Sequence, residues 1–227
     1  MRRLALFVSL AFLIIGLVGG STFAKTQKTL IVAVGAPPRT MNPHGSDADC
    51  NLGVMSNIFE GLLHRDTARK LGPGLATSWK RIDDLTWRFT LRKGVKFHNG
   101  NDFTWKDVKF SLERLKKPYP VSEFLAFGGI ISSVKTVNGD PWTIDIKTTI
   151  PVPYFVQNLH QIFIMDKEST EARSIGDIGL HPIGTGSYKF AEWVKGAYLK
   201  LTANENYWGG PLQIKPVKFK PITEPST

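Results

Sequence analysis

Four residues whose side chains can bind metal ions fall within seven positions of one another: His44, Asp47, Asp49 and Cys50. Imidazole nitrogen and thiolate sulfur are ligands for zinc and nickel. The spacing matches no established metal-binding motif, however, and a helix that begins near Asp47 or Asp49 explains these acids as capping residues. The other histidines are scattered singly, at positions 64, 98, 160 and 181. We therefore predict no bound metal and no cofactor.

Three short motifs resemble parts of catalytic sites, but each lacks its companions. His64-Arg65-Asp66 spells the kinase catalytic-loop triplet, without an Asn five residues after Asp66. The Ser-x-x-Lys sequence at residues 132–135 has no Lys-Thr-Gly partner. Gly184-Thr185-Gly186 lacks the Gly-Lys-Ser/Thr ending of a phosphate-binding loop, and its glycines favour unusual backbone geometry instead. We predict that the protein is not an enzyme.

The elements that position side chains are clearest between Leu71 and Lys117. In the middle of this stretch four apolar residues alternate with polar ones, at Leu85, Trp87, Phe89 and Leu91. This alternation predicts a strand with one buried face, so Trp87 and Phe89 are expected to face a core and not a ligand. A turn at 93–94 and a short returning strand over 95–98 follow. Thr104, three residues before Asp107, then predicts a capping box and a helix.

The same patterns predict further elements on both sides of this stretch. The β-branched run 29–34 predicts a buried strand that ends at the glycine and prolines of residues 35–38. A helical stripe is formed by Leu52, Met55, Phe59 and Leu62. Two hairpins are predicted, over 130–147 around Asn138-Gly139-Asp140 and over 188–203 around Lys195-Gly196, and a last strand over 217–220.

The order of these motifs resembles the bacterial solute-binding proteins that carry dipeptides, oligopeptides or nickel to ABC importers. The segments that carry the resemblance are 41–44, 57–62, 74–79, 87–100, 103–114, 182–190 and 206–210. They include I-F-E-G-L at 58–62, P-I-G-T-G at 182–186 and Y-W-G-G at 207–210. The resemblance covers the chain almost end to end once its first 24 residues are set aside.

This resemblance implies an α/β, type II periplasmic-binding-protein-like fold with two lobes. Residues 28–45 and 166–227 are expected to form an incomplete first lobe, and residues 46–165 an inserted α/β subdomain. Members of the family are usually more than twice as long as this chain. We therefore expect the sequence to represent an N-terminal portion from which the second lobe is absent.

The implied function is to bind short peptides and deliver them to a membrane ABC permease complex, as a monomer when complete. A carrier of nickel or another small solute, a truncated remnant that binds nothing, and a periplasmic chaperone or adaptor are the alternatives. Ligand contacts are expected in two loops, the first of which lies at the cleft between the lobes in that family. The candidate residues are Pro38, Thr40, Met41, Asn42, Gly184, Thr185 and Gly186.

The first 24 residues have the pattern of a cleaved secretory signal peptide. Arg2 and Arg3 precede an uncharged run, and Thr22 and Ala24 supply the small residues of a cleavage site. The formal net charge of +10 would then fall to about +8 in a mature periplasmic chain. Its basic residues are spread along the sequence and not gathered into a patch, so we predict no nucleic-acid partner. Cys50 is the single cysteine, which excludes an intramolecular disulfide.

Overall fold

The computed structural model describes residues 28–46, 48–117 and 124–222. The predicted signal peptide and Asp47 lie outside these ranges. The described residues form ten strands and six helices. The strands are β1 (Leu30–Val34), β2 (Leu63–Arg65), β3 (Leu71–Pro73), β4 (Ala76–Arg81), β5 (Thr86–Leu91), β6 (Ile131–Val137), β7 (Asp140–Thr148), β8 (Tyr188–Val194), β9 (Tyr198–Ala203) and β10 (Pro216–Pro221). The helices are α1 (Asp49–Met55), α2 (Trp105–Arg114), α3 (Leu125–Ile130), α4 (Phe155–Asn158), α5 (Lys167–Glu171) and α6 (Ile175–Ile178).

The first sheet has the strand order β1-β10-β9-β8. β1 is parallel to β10, and the other two pairings are antiparallel. β1, β10 and β8 therefore run in one direction, and their carboxyl ends meet at one edge of the sheet. The predicted hairpin over 188–203 is confirmed, with Gly196 at φ 77° in its turn. We call the edge at which the carboxyl ends of β1, β10 and β8 meet the carboxyl edge.

The second sheet is antiparallel, with the order β4-β5-β7-β6. The predicted β6–β7 hairpin is confirmed, and Asn138 and Gly139 both have positive φ (51° and 76°), as a type I′ turn requires. β5 carries the predicted alternation, with Phe89 fully buried and Trp87 half-buried against the same core. β2 and β3 form a separate two-stranded hairpin.

Helix α2 covers one face of the second sheet. Its predicted capping box is confirmed: the Asp107 carboxylate accepts from the Thr104 backbone N–H at 2.8 Å, and the Thr104 hydroxyl caps the first turn. Val108, Leu112 and Leu115 are fully buried in the core that this helix shares with the sheet. The apolar stripe of α2 thus supplies one wall of the larger of the two hydrophobic clusters.

Three predicted elements differ from the structure. The strand over 29–34 is predicted to be buried, but β1 lies at the edge of its sheet, and Ile31 is 62% exposed. No strand forms over 95–98, where a single bridge joins Lys96 to Asp102 and the backbone N–H of His98 instead donates to Gly184 O at 2.8 Å. The helical stripe ends at Met55, before Phe59. There the carbonyl oxygens of Asn57 and Ile58 accept hydrogen bonds from the chain around β8, so tertiary pairing replaces another helical turn.

The smaller hydrophobic cluster lies under the first sheet and contains Met41, Val54, Met55 and Phe59 together with Leu199 and Phe219. Helix α1 therefore packs with the first sheet, although the predicted subdomain begins at residue 46. Phe163 belongs to this cluster, while its neighbours Ile162 and Ile164 belong to the larger one. The division into a first lobe and an inserted subdomain stays a prediction, and the two clusters meet around residues 59–62 and 162–164.

Within the part of the chain that the structure describes, no helix combines the length and the apolar character needed to cross a bilayer.

Candidate functional site

The loop after β1 leaves the carboxyl edge of the first sheet and is held by side chains. The side-chain amide oxygen of Asn51 accepts from the backbone N–H groups of Arg39 (3.1 Å) and Thr40 (3.4 Å). Asn51 lies in α1 and is fully buried. The Thr40 hydroxyl oxygen accepts from Asn42 N–H at 3.0 Å, and the Asn42 amide oxygen accepts from His44 N–H at 3.3 Å. The loop therefore has one defined path from β1 to α1.

The four candidate residues of this loop differ in what they expose. Met41 is fully buried in the cluster under the first sheet, and Asn42 is 6% exposed. Pro38 is buried, and Thr40 is half-buried. Arg39, which was not among the predicted residues, points its side chain to the solvent. The solvent-facing surface of this loop is therefore formed by Arg39 and Thr40, over buried neighbours that set its shape.

His44 connects the end of this loop, through hydrogen bonds, to Phe163 and to helix α2, which covers the second sheet. Its Nε2 donates to the carbonyl oxygen of Phe163 at 2.8 Å, and its Nδ1 accepts from Nη1 of Arg114, in α2, at 3.0 Å. Burial, together with the charge of Arg114, lowers the pKa of His44 from 6.5 to about 3, although the Phe163 carbonyl opposes the shift. His44 is therefore a neutral imidazole at physiological pH.

The four potential metal ligands of the sequence are not assembled in the described residues. Both nitrogens of His44 are already engaged, and Asp49 is exposed on the first turn of α1. Cys50 is half-buried with a free thiol. In residues 28–46, 48–117 and 124–222 no group of three or more His, Cys, Asp or Glu side chains could hold a metal ion.

Gly184, Thr185 and Gly186 lie just before β8, and all three are buried against the chain that follows α1. A Cβ atom on Gly184 would overlap the carbonyl oxygen of Ile58, and one on Gly186 would lie 2.5 Å from that of Asn57. His98 clamps the same segment, since its Nε2 donates to Gly186 O at 3.0 Å and its Nδ1 accepts from Gly184 N–H at 3.4 Å. Burial is the main cause that lowers the pKa of His98 to about 4, so this ring is neutral as well.

Replacing Gly184 with alanine is expected to destabilise the protein by about 1–3 kcal/mol, because backbone on the facing side leaves no room for a methyl group. Urea unfolding of the variant and the parent chain measures the difference. Gly53→Ala is the matched control: Gly53 is exposed in α1, nothing lies within 4 Å of its would-be Cβ, and alanine should leave stability unchanged or raise it. Equal stabilities for the two variants would contradict the close approach.

Glu60 is the centre of the most connected polar cluster beside these glycines. Its Oε2 accepts from the Thr185 hydroxyl (2.7 Å) and from Nε1 of Trp208 (2.8 Å), and its Oε1 accepts from the Tyr207 hydroxyl (2.9 Å). The Arg92 guanidinium carbon lies 3.9 Å from the centroid of the Trp208 ring. We call these five residues the Glu60 cluster. It joins the loop before β8 and the chain after β9 to the end of β5.

Burial raises the pKa of Glu60, and the three hydrogen bonds and the charge of Arg92 oppose that shift. The same surroundings, with the Glu60 carboxylate, raise the pKa of the Tyr207 hydroxyl, so Tyr207 stays a neutral donor. Next to the cluster lies a cavity of about 370 Å³, lined among others by His64 and His160 from the layer of the second sheet. The Glu60 cluster is thus a polar joint between the two layers, in which Thr185 is buried and the other four residues are half-buried.

The structure places the two groups of candidate residues at opposite ends of the first sheet. Residues 38–42 follow the carboxyl end of β1, whereas residues 184–186 precede the amino end of β8, and these two strands run in the same direction. Ligands of α/β sheets bind preferentially beyond the carboxyl ends of strands. On this geometry the loop at 38–42 is the better-placed candidate, while the ligand-contact role of all seven residues stays a prediction.

A model of the bacterial extracellular solute-binding proteins, family 5 (middle), matches residues 70–227 of the chain. This range includes β3 to β10 and every residue of the Glu60 cluster except Glu60 itself. The chain belongs to family 5 of the bacterial extracellular solute-binding proteins.

Individual relatives agree with this membership. The glutathione-binding protein GsiB of Salmonella choleraesuis is 30% identical over 207 residues, which are 90% of this chain and 40% of that protein. The periplasmic oligopeptide-binding protein OppA of Haemophilus influenzae is 28% identical, over 88% of this chain and 41% of that protein. The family 5 chain described here thus spans about 40% of the length of the curated relatives it matches.

Solved structures of the family share the fold. NikZ from Campylobacter jejuni, in complex with Ni(L-His), matches with a TM-score of 0.78 and 34% identity, over 87% of this chain and 40% of that one. DppA from Helicobacter pylori, in complex with the peptide STSA, matches with a TM-score of 0.76 and 28% identity, over 86% and 43%. The predicted fold class, α/β of the type II periplasmic-binding-protein kind, is confirmed.

Proposed function

We propose that this family 5 chain is part of an extracytoplasmic solute-binding component of an ABC importer, and that the solute is a short peptide. The observation that carries the proposal is its likeness to relatives named for peptide ligands, an oligopeptide-binding protein and a structure that holds the peptide STSA. Glutathione, the ligand in the name of GsiB, is itself a tripeptide. Binding and release, without bond-making chemistry, is the role we propose, so the protein would not be an enzyme.

The geometry of the carboxyl edge supports this proposal. Its loop at 38–42 has a fixed path and offers Arg39 and Thr40 to a ligand, with buried residues behind them. Extended peptides can be held largely through their backbone groups, which makes a carrier tolerant of different side chains.

A nickel complex is the second candidate ligand. It is favoured by the 34% identity to NikZ, whose structure holds nickel as a histidine complex. A metal carried in this way arrives with ligands of its own, so the absence of a histidine cluster among the described residues does not argue against it. The ligand's carboxylate, and not the metal, would then be the group that this chain recognises.

The remaining parts of the proposal concern location and partners. We propose that residues 1–24 are cleaved during export, that the mature chain works in the periplasm, and that its partner is a membrane permease complex. OppA of Haemophilus influenzae is named as a periplasmic protein, which supports this location. The complete protein would act as a monomer.

Calorimetric titration of the chain tests the proposal, with a mixed di- to pentapeptide library, glutathione and Ni(L-His) as separate ligands. A micromolar ligand corresponds to about −8 kcal/mol, and a site that keeps half of the contacts would hold about −4 kcal/mol, or roughly millimolar affinity. Because the chain spans about 40% of the length of its relatives, we expect peptide binding in this weak range.

Two outcomes would contradict parts of this proposal. Ni(L-His) binding without any peptide binding would make the chain a nickel carrier. No response to any of the three ligand classes, from a chain that is folded by circular dichroism, would favour a remnant that binds nothing.

A further inference from the structure

A groove of about 290 Å³ lies on the carboxyl edge of the first sheet. It is bounded by the loop after β1 (Arg39 and Thr40), by helix α6 and the residues after it (Ile175 and Leu180), and by the β8–β9 hairpin (Trp193 and Lys195). We call it the carboxyl-edge groove. It is smaller than a complete ligand pocket and has the size of one subsite.

The charges that line this groove are all positive. Arg39 and Lys195 line it, and no acidic residue does. Within the described residues neither cation takes part in an ion pair, although the Lys195 ammonium lies 5.2 Å from the centroid of the Trp193 ring. Two acids adjoin groove residues in the sequence, and both have other partners. Asp177 lies near Arg173 (3.5 Å) and His181 (3.8 Å), and Glu192 pairs with Lys200 at 2.5 Å. The groove is therefore complementary to an anion.

The walls of the groove are apolar and open to solvent. Ile175 is 47% exposed and Leu180 is 46% exposed, and Trp193 is half-buried beside them. Exposed aliphatic side chains grouped around a tryptophan favour contact with another apolar group. Such a surface, combined with two cations, fits a ligand that carries a negative charge next to an aliphatic or aromatic side chain.

The side of the groove formed by the β1 loop is held in place before any ligand arrives. Asn51 fixes the backbone of Arg39 and Thr40 from the buried side. The Thr40 hydroxyl accepts a hydrogen bond from Asn42 N–H, so its own hydrogen is free to donate towards the groove. Arg39 and Thr40 thus present a guanidinium and a hydroxyl donor from adjacent positions, and a guanidinium can bind a carboxylate with two parallel hydrogen bonds.

We propose that the carboxyl-edge groove binds the C-terminal carboxylate of a short peptide together with its last, apolar side chain. Arg39 and Lys195 hold the carboxylate, and Ile175, Leu180 and Trp193 contact the side chain. The inference rests on the proposed peptide-binding function and deepens it, since it assigns one end of the peptide to a place in this chain and predicts a preference for apolar C-terminal residues.

The test uses the full chain labelled with nitrogen-15 and three small probes in place of a peptide: N-acetyl-leucine, N-acetyl-leucinamide and acetate. Their effects are read in proton–nitrogen correlation spectra, where the Trp193 indole signal is assigned from its loss in Trp193→Phe. N-acetyl-leucine should shift this signal and the amides of Arg39 and Thr40. The amide, which lacks the charge, and acetate, which lacks the side chain, should each bind about tenfold more weakly.

Variants separate the groove from general effects of charge. Arg39→Gln and Lys195→Gln should each weaken N-acetyl-leucine binding by about tenfold. Lys135→Gln, an equal charge change at an exposed position on β6, should leave it unchanged. Gly176 lines the groove, and its would-be Cβ has only the Ser174 hydroxyl within 4 Å, so Gly176→Phe should fill the groove and abolish binding without disturbing the fold.

Equal affinities for N-acetyl-leucine and its amide, or for N-acetyl-leucine and acetate, would overturn the proposal. So would shifts that avoid the groove, or a Lys135→Gln effect as large as that of Arg39→Gln. The proposed function fails separately: a chain that binds peptides in the calorimeter while the groove signals do not move keeps its function and loses this subsite. A groove that binds N-acetyl-leucine in a chain that ignores every peptide keeps the subsite alone.

Discussion

Replacing Glu60 with alanine is expected to lower the free energy of unfolding by about 3–5 kcal/mol. The change removes the acceptor of three hydrogen bonds at 2.7–2.9 Å and leaves the hydroxyls of Thr185 and Tyr207 and the indole N–H of Trp208 without a partner. It also leaves Arg92 beside the cluster without the carboxylate that balances its charge. Urea unfolding followed by tryptophan fluorescence measures the loss.

Two companion variants make this result specific. Tyr207→Phe removes one of the three donors and should cost about 1 kcal/mol. Glu205→Ala removes an exposed carboxylate whose ion pair with Lys215 lies at the surface, and it should change stability by less than about 1 kcal/mol. If Glu60→Ala were no more destabilising than Glu205→Ala, the Glu60 cluster would not be the joint that its hydrogen bonds indicate.

The Glu60 cluster also shows what the sequence could not supply. Glu60, Thr185 and the Tyr207-Trp208 pair each lie in a motif that carries the family resemblance. Their hydrogen bonds, however, join positions that are 125, 147 and 148 residues apart. Periodicity reports which face of an element is apolar, and it carries no information on which distant loop meets that face. A useful signal would have been that a charged residue stands inside an apolar helix-end motif, since a buried charge needs partners.

Elements whose determinants are local were predicted well. The β8–β9 hairpin has the predicted bounds, and the β6–β7 turn uses Asn138 and Gly139, because alternation and turn chemistry act over a few neighbouring residues. The segment 95–98 was predicted as a strand from the same kind of signal. In the structure Phe97 N–H donates to the nearby Asn101 O and His98 N–H donates to the distant Gly184 O, so a local turn and one long-range contact replace the strand.

The loop of the candidate site shows the same limit of local patterns. The loop after β1 is predicted to contact a ligand through Pro38, Thr40, Met41 and Asn42, and that role stays a prediction. The residue that the loop exposes most is Arg39, whereas Pro38 and Met41 are buried. Only the hydrogen bonds from Asn51, twelve and eleven residues away, reveal which way the loop turns. Lys195 and Trp193 were assigned to a hairpin, and their proximity to Arg39 follows from the parallel course of β1 and β8.

Replacing Phe89 with alanine is the second change with a large expected effect, a loss of about 3–5 kcal/mol in the free energy of unfolding. Phe89 lies at the centre of the second sheet, opposite Trp79 on β4 and Ile144 on β7, and none of its surface is exposed. A cavity at this position cannot be filled by a small shift, because paired strands hold both neighbours. Chemical unfolding of the variant and the parent chain measures the loss.

Trp87→Ala is the matched comparison, because Trp87 lies two residues away on the same face of β5. Both residues were predicted to face the core, and both do, but Trp87 lies nearer the end of the strand and is only half-buried. Part of its ring is already exposed to water, so Trp87→Ala should lower the free energy of unfolding by about half as much as Phe89→Ala. A larger loss at Trp87 than at Phe89, or a changed ligand affinity with an unchanged unfolding midpoint, would show that the apolar face of β5 does more than fill the core.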